Sequence, residues 1–185
     1  MNTRMIWNFE INDEAPLSLP QLDVEVDDNA RWESRFFWSE HEIIVLNGLD
    51  ERFLDISSYE AKRRHDVYCL LDDQDYNLKI RRNQLLYKPV ISKTEHALAY
   101  GKKIDFEEEH NGRYLSVEKE ALIYRFETSP IAKLELARLK VAGTIWFSVN
   151  IESRAKHWVD SIREQMFGEK KTLDYVTFLK SPAFL

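Results

Sequence analysis

The segment NARWESRFFWSEHE, residues 29–42, has an alternation that decides the fold of the chain. Charged side chains fall on one side of a two-residue period and aromatic side chains on the other: Arg31, Glu33 and Arg35 against Trp32, Phe36 and Trp38. A two-residue period is typical of a β-strand. If the aromatic side packs into the core of an open sheet, the charges face solvent. If the strand belongs to a closed barrel, the same charges point into the lumen and form a site.

The composition is that of a globular protein with a sizeable core and a well solvated surface. Of the 185 residues, 44% are hydrophobic and 31% are charged. No segment approaches the ~18 consecutive apolar residues of a membrane-spanning helix, so we expect no membrane association. The single cysteine, Cys69, excludes a disulfide framework and is expected to be a buried thiol. These observations favour a cytoplasmic protein.

The net charge of −6 is concentrated at the N-terminus. Residues 1–28 contain seven acidic residues and one basic residue, whereas residues 29–185 are neutral overall. We therefore predict an acidic N-terminal arm, residues 1–28, followed by a single domain, residues 29–185. A neutral body gives no long-range attraction to nucleic acid or to an anionic membrane. The acidic arm is the part of the chain that would engage a protein partner.

Two hairpins and one helix can be predicted with defined ends. Residues 76–91 alternate on both sides of an Arg82–Asn83 turn, and a second hairpin turns at Gly143. Residues 153–168 form an amphipathic pattern that begins at Ser153 and ends at Gly168. The sequence thus predicts an α+β fold that is rich in antiparallel strands.

Three shorter segments are less clearly defined. Residues 22–26 alternate and predict a short strand. Residues 39–48 fit a short helix, with a strand as the alternative, and residues 172–179 fit either a strand or a helix.

Basic and acidic side chains recur on the predicted strands well beyond residues 29–42. They include Lys79, Arg81, Lys88, Arg125, Arg138 and Glu152. On any single strand such charges are usual for a solvated face. Closing an antiparallel sheet into a barrel would instead bring one side of every strand into a common lumen. Converging Arg and Lys side chains there would bind a polyanion, and interleaved carboxylates would hold a divalent cation against phosphate oxygens.

Five segments follow one another in an order that carries a family resemblance. They are RWESR (31–35), DVYCLL (66–71), LKIR (78–81), LLYK (85–88) and FSVNIES (147–153), the last of which leads into a predicted helix. This order resembles the CYTH, or triphosphate tunnel metalloenzyme, superfamily. There RWESR would take the place of an E-x-E-x-K strand, and FSVNIES the place of a strand that ends in E-x-E.

The resemblance implies an antiparallel β-barrel or tunnel of about eight strands with a few flanking helices. It also implies metal-dependent hydrolysis or binding of a triphosphate-type substrate, a phosphorylated small-molecule anion, with Mg²⁺ or Mn²⁺ as the metal. The phosphate-binding residues would be Arg35, Lys79, Arg81 and Lys88, and strand placement adds Arg125 and Arg138. The metal would be held by Glu33 and Glu152.

Two residues depart from the family pattern at positions where acids are expected, Arg31 and Asn150. A positive charge at Arg31 would lower metal affinity and favour simple anion binding. Three hypotheses therefore stay open at this point. The chain is a metal-dependent triphosphatase, a non-catalytic phosphate or polyanion binder, or a β-rich protein-interaction module whose charges face solvent.

Overall fold

The computed structural model describes residues 7–72, 74, 76–105 and 111–184. Its strands are β1 (Phe9–Asn12), β2 (Arg31–Ser39), β3 (Ile44–Asn47), β4 (Glu60–Leu70), β5 (Tyr76–Arg81), β6 (Gln84–Lys93), β7 (Leu98–Tyr100), β8 (Ile104–Asp105), β9 (Arg113–Arg125), β10 (Lys133–Val141) and β11 (Thr144–Ser153). Its α-helices are α1 (Lys156–Phe167) and α2 (Tyr175–Leu179), and short 3₁₀ turns lie at Glu51–Leu54, Ile56–Ser58 and Pro182–Phe184. No helix in these residues has the length and apolar run needed to cross a membrane.

Eight of the strands close into an antiparallel barrel. The order around the ring is β5-β4-β9-β10-β11-β2-β7-β6, and β6 pairs back with β5. β8 extends the sheet beyond β6, and β1 and β3 form a separate two-stranded parallel sheet. The predicted fold class is confirmed, since the sheet closes and only two α-helices flank it within the described residues.

The pairings around the ring differ in length. β4 and β9 pair along eleven residues, from Glu60–Ile123 to Leu70–Arg113. Among the described residues, β4 and β5 are joined by only two pairs, Val67–Ile80 and Tyr68–Lys79. The seam between β4 and β5 is therefore the shortest in the described part of the ring.

Both predicted hairpins are present, and their turns explain why the strands return where they do. Arg82 and Asn83 have φ values of +50° and +63°, which is the conformation of a two-residue type I′ turn. Ala142 and Gly143 adopt φ values of +49° and +79° at the corresponding point of the second hairpin. These turns set the registers in which β5 pairs with β6 and β10 with β11.

The alternation of β2 is resolved in favour of the barrel. Phe36 and Trp38 are buried outside the ring, where the Phe36 ring lies 4.3 Å from that of Phe167 at the end of α1. Glu33 and Arg35, on the other side of the strand, are 9% and 7% exposed and line the lumen. The charges of this strand thus belong to a cavity and do not form a solvated face.

Helix α1 packs on the outside of the barrel through one apolar face. That face consists of Trp158, Val159, Ile162 and Met166, all of them buried. The helix begins after Ser153, whose Oγ accepts a hydrogen bond from the Ala155 backbone N–H at 3.2 Å, and it ends at Gly168 with φ of +57°. The predicted helix is present over Lys156–Phe167 but begins later than predicted, since Ser153 is the last residue of β11 and Ala155 takes the N-cap position without a side-chain hydrogen bond.

The less clearly defined segments had mixed outcomes. The strand predicted over 22–26 is wrong, since those residues have no regular secondary structure. Within 39–48 the alternative is correct, because Ile44–Asn47 forms a strand that finds a pairing partner in Phe9–Asn12. Within 172–179 the structure is helical. For residues 44–47 a tertiary partner decided between two local options of similar quality.

The C-terminal segment fills one end of the barrel. Phe178 of α2 stacks on the lumen-facing ring of Phe37, with 3.9 Å between centroids and 6° between planes. The buried side chains of this end are Tyr68, Leu70, Val117, Ala121, Ala137, Leu139, Val141, Tyr175, Val176, Phe178, Leu179 and Phe184. The lumen is therefore divided into an apolar half that the chain itself occupies and a polar half that remains open.

Candidate functional site

The polar half of the lumen is a cavity of about 520 Å³ with a strong excess of positive charge. Among the described residues, its lining includes ten Lys and Arg side chains: Arg31, Arg35, Lys62, Arg64, Lys79, Arg81, Lys88, Lys103, Lys119 and Lys133. Four carboxylates oppose them: Glu33, Asp66, Glu135 and Glu152. The formal excess is six positive charges in a cavity whose walls are β-strands, although the chain as a whole has a charge of −6.

Asp66 of β4 binds two bases of the neighbouring strand β5. Its carboxylate accepts hydrogen bonds from Lys79 Nζ at 2.9 Å and from Arg81 Nε at 2.6 Å. Burial opposes its ionisation, but Arg81 and Lys79 together hold the pKa of Asp66 well below its usual range. Burial, helped by the charges of Arg81 and Lys119, lowers the pKa of Lys79 to about 7 against the attraction of Asp66. Lys79 is therefore a base that titrates near neutral pH.

Glu135 of β10 organises the deepest bases of the cavity. Its Oε1 accepts from Lys119 Nζ at 2.5 Å and from Arg35 Nη1 at 3.1 Å. Despite burial, these two cations hold the pKa of Glu135 well below its usual range. Because the carboxylate is shared, neither cation is fully neutralised, and both stay fixed by a short contact.

Glu33 and Glu152 lie directly opposite each other on β2 and β11. Glu33 accepts a hydrogen bond from Lys88 and lies 3.9 Å from Arg35 Nη2. Burial opposes its ionisation, but Lys88 and Arg35 lower the pKa of Glu33. Glu152 is bound by Arg31 at 3.4 Å and by Lys133 at 3.1 Å.

Lys103 and Arg64 have no ion-pair partner among the described residues, although both line the cavity. Burial and the positive charges of Arg81, Lys88 and Arg64 lower the pKa of Lys103. A cation that sits among cations in a partly buried place marks a position where an anion would be stabilised.

The carboxylates in the described part of the cavity do not form a donor set for a divalent cation held by the protein alone. Within the described residues, no three His, Cys, Asp or Glu side chains are close enough to hold a metal ion. The predicted pair, Glu33 and Glu152, is brought together, but cations already bind both carboxylates. Asn150 supports Arg35 instead of a metal, since in its satisfied orientation its amide oxygen accepts from Arg35 Nη2 at 3.0 Å.

The structure brings six of the predicted site residues into one cavity and leaves two outside it. Arg35, Lys79, Arg81, Lys88, Glu33 and Glu152 all line the lumen. Arg125 is at the rim, half exposed and paired with Glu60 at 2.9 Å. Arg138 faces away from the cavity and lies 3.6 Å from Glu120 on the outer surface. The reason is the period of β10, whose neighbours Ala137 and Leu139 are the residues that face the lumen.

Several lining residues were not among the predicted site residues. Lys62 and Arg64 alternate in phase with Asp66 along β4, so a two-residue count from Asp66 would have found them. Lys119 lies between Glu118 and Glu120, in a segment that looks like an ordinary surface charge run. Tyr175 could not have been found from local sequence, because it reaches the cavity from the C-terminal helix.

Comparisons with known proteins find a weak structural resemblance and no match in sequence. No protein-family model matches the chain, and no curated protein matches it. Among solved structures, the chain resembles a Mimivirus capping enzyme triphosphatase at 10% sequence identity with a TM-score of 0.39, covering 68% of this chain and 80% of that one. A resemblance at this level supports no inference about function. The function of this chain therefore has to be inferred from its own side chains.

Proposed function

We propose that this chain binds a triphosphate-type anion in the polar half of its barrel, without a metal ion held by the protein. The observation that carries the proposal is the formal excess of six positive charges among the described residues that line this cavity. Membership of the CYTH superfamily and the hydrolysis of such substrates remain predictions, as do the roles of the individual site residues.

Electrostatics supports a phosphorylated ligand over a singly charged one. Charges that are partly removed from water are screened less, so several fixed cations attract a polyanion much more strongly than a monoanion. The guanidinium groups of Arg35 and Arg81 and the ammonium groups of Lys79, Lys88 and Lys119 are the donor types that bind phosphate oxygens most strongly.

In this proposal the four carboxylates position the basic side chains and do not bind a metal ion. Each one bridges two bases, as Asp66 does for Lys79 and Arg81 and Glu135 does for Lys119 and Arg35. Shared carboxylates hold the cations apart in the empty cavity, where they would otherwise repel one another. A ligand then meets side chains that are already placed, which lowers the entropy lost on binding.

The test is calorimetric titration of tripolyphosphate into the protein in the presence of EDTA. We expect binding, and we expect Lys79→Ala to weaken it roughly tenfold, the loss of one charge-assisted hydrogen bond. Arg138→Ala is the matched control, because it removes a strand cation that faces away from the cavity. Absence of binding by the wild-type protein, or equal affinity in Lys79→Ala, would contradict the proposal. Phosphate release in Mg²⁺, measured on the same samples, tests the hydrolytic alternative.

A further inference from the structure

Tyr175, the first residue of α2, forms the floor of the polar cavity where it meets the apolar half of the lumen. The side chain lines the cavity and the residue is only 7% exposed. The Arg35 guanidinium lies 4.7 Å from the centroid of its ring, and Lys119 Nζ lies 5.8 Å away. The Tyr175 ring also stacks on the ring of Tyr68, with 5.1 Å between centroids. The phenol is thus fixed among the deepest bases of the site.

The Tyr175 hydroxyl is buried and has no hydrogen-bond partner among the described residues. Buried hydroxyls nearly always have a partner, so one that lacks it calls for an explanation. The charged groups nearest to the ring, Arg35 and Lys119, can only donate hydrogen bonds. An anionic oxygen bound beside these cations would supply the acceptor that the phenol lacks.

The cavity becomes less exposed along β2 toward Tyr175. Along β2 the lumen side chains pass from exposed at Arg31 to buried at Arg35, after which Phe37 is covered by Phe178. A linear ligand that enters from the Arg31 end therefore reaches the floor with its leading end. The terminal group of such a ligand is then the part that meets Tyr175.

We propose that the Tyr175 hydroxyl donates a hydrogen bond to the terminal phosphate group of the ligand, which Arg35 and Lys119 hold at the same time. This inference rests on the proposed function and narrows its ligand class. The site selects linear anions with a free phosphate terminus. These include inorganic tripolyphosphate and nucleoside triphosphates, whose organic group would remain at the open end near Arg31. Cyclic phosphates, which have no terminus, are selected against.

The substitution Tyr175→Phe removes only the hydroxyl oxygen, so it distinguishes a contact with the ligand from a role of the ring in stability. In Tyr175→Phe the ring, its stacking on Tyr68 and the cation–π contact remain, and an unsatisfied buried hydroxyl disappears. We expect the melting temperature of the free protein to be equal or higher, because an unpaired polar group has been removed from the interior. We expect tripolyphosphate affinity to fall roughly fivefold to tenfold, which corresponds to about 1–1.4 kcal/mol.

The control variant is Tyr59→Phe, which lies outside the barrel. The Tyr59 hydroxyl donates to the Phe53 carbonyl oxygen at 2.7 Å, so its loss should lower the melting temperature and leave tripolyphosphate affinity unchanged. Opposite signs of the two stability changes, combined with a loss of affinity in Tyr175→Phe alone, are the expected pattern.

The ligand arm of the test compares tripolyphosphate with cyclic trimetaphosphate and with cyclic tetrametaphosphate, whose charge is closer to that of tripolyphosphate. We expect wild-type protein to bind the linear anion at least tenfold more tightly than either ring, and Tyr175→Phe to reduce that preference. Wild-type binding of tripolyphosphate with equal affinity in Tyr175→Phe, or equal affinity for rings and chain, would overturn this inference and leave the proposed function standing. No binding of any of these anions by the wild-type protein would overturn the proposed function.

Discussion

Glu33 and Glu152 face each other directly across β2 and β11, and each of these carboxylates is bound by two cations. Opposed acids of this kind would normally repel each other. Here Lys88 and Arg35 neutralise one of them, and Arg31 and Lys133 the other. The two carboxylates therefore separate the positive charges of Lys88 and Arg35 from those of Arg31 and Lys133.

The first prediction concerns the charge of this pair. Glu152→Gln should strengthen tripolyphosphate binding about threefold to tenfold, because Arg31 and Lys133 are then free to contact phosphate, which they do as charge-assisted donors. Titrations in EDTA and in Mg²⁺ provide the measurement. If the carboxylate instead binds a metal that carries the ligand, the same substitution weakens binding, and only in the titration with Mg²⁺.

The second prediction is a pH dependence that follows from Lys79. Burial lowers the pKa of Lys79 to about 7, so the free protein loses this positive charge as the pH rises through neutrality. Anion affinity should therefore fall between about pH 7 and pH 9, and binding in that range should take up a proton. Calorimetry in two buffers of different ionisation enthalpy measures the uptake. Lys79→Arg keeps its charge throughout, so its affinity should be nearly flat over this range.

The third prediction is that Asp66 stabilises the empty cavity more than the filled one. Asp66→Asn leaves Lys79 and Arg81 without their shared carboxylate, and we expect a loss of roughly 3 kcal/mol in the free energy of unfolding. Tripolyphosphate should restore much of this loss, so its stabilising effect should be larger in the variant than in the wild type. Urea denaturation with and without ligand measures both quantities.

A surface pair supplies the control for Asp66. Glu120→Gln removes a carboxylate that lies 3.4 Å from Arg63 and 3.6 Å from Arg138 on the exposed side of the sheet. We expect a change below about 1 kcal/mol and no effect of ligand on that difference. A similar loss of stability in both variants would show that Asp66 has no special connection with the cavity.

The fourth prediction addresses the plug formed by the C-terminal segment. Phe178 is 2% exposed and stacks on Phe37, so Phe178→Ala should destabilise the protein by about 3–5 kcal/mol. Ile131→Ala, which truncates a side chain that is 52% exposed, should change the stability by less than about 0.5 kcal/mol. Thermal denaturation compares the two. A small effect at Phe178 would mean that the apolar end of the barrel holds together without α2.

Local sequence predicts well those parts of the fold in which the residue alternation is clear or the pairing strand is adjacent in the sequence. The alternation of β2 identifies its lumen side because charged and aromatic residues never share a side between Arg31 and Phe36. The turn at Arg82–Asn83 fixes a hairpin by itself. Residues 44–47 are harder, because their strand depends on Phe9–Asn12, which lies more than thirty residues earlier.

The candidate site shows the same limit. Residues such as Lys79 and Lys88 can be placed from one hairpin. Arg138 was misplaced because the alternation of β10 puts Ala137 and Leu139 on the lumen side and Arg138 on the other. Nothing local indicates that the chain returns to fill half of the barrel with α2, so Tyr175 has no sequence signal. Long-range placement, and not side-chain chemistry, is what the sequence leaves open.

The short seam between β4 and β5 gives the barrel a route of opening along its side. Only the pairs Val67–Ile80 and Tyr68–Lys79 join these strands by their backbones in the described residues, and the contacts of Asp66 with Lys79 and Arg81 continue the junction. At this seam the ion pairs of Asp66 therefore join the two strands where the backbone ladder is short. Removal of the Asp66 carboxylate would leave only the backbone pairs at this seam, and amide hydrogen exchange in β5 should then accelerate locally while the long β4–β9 ladder stays protected.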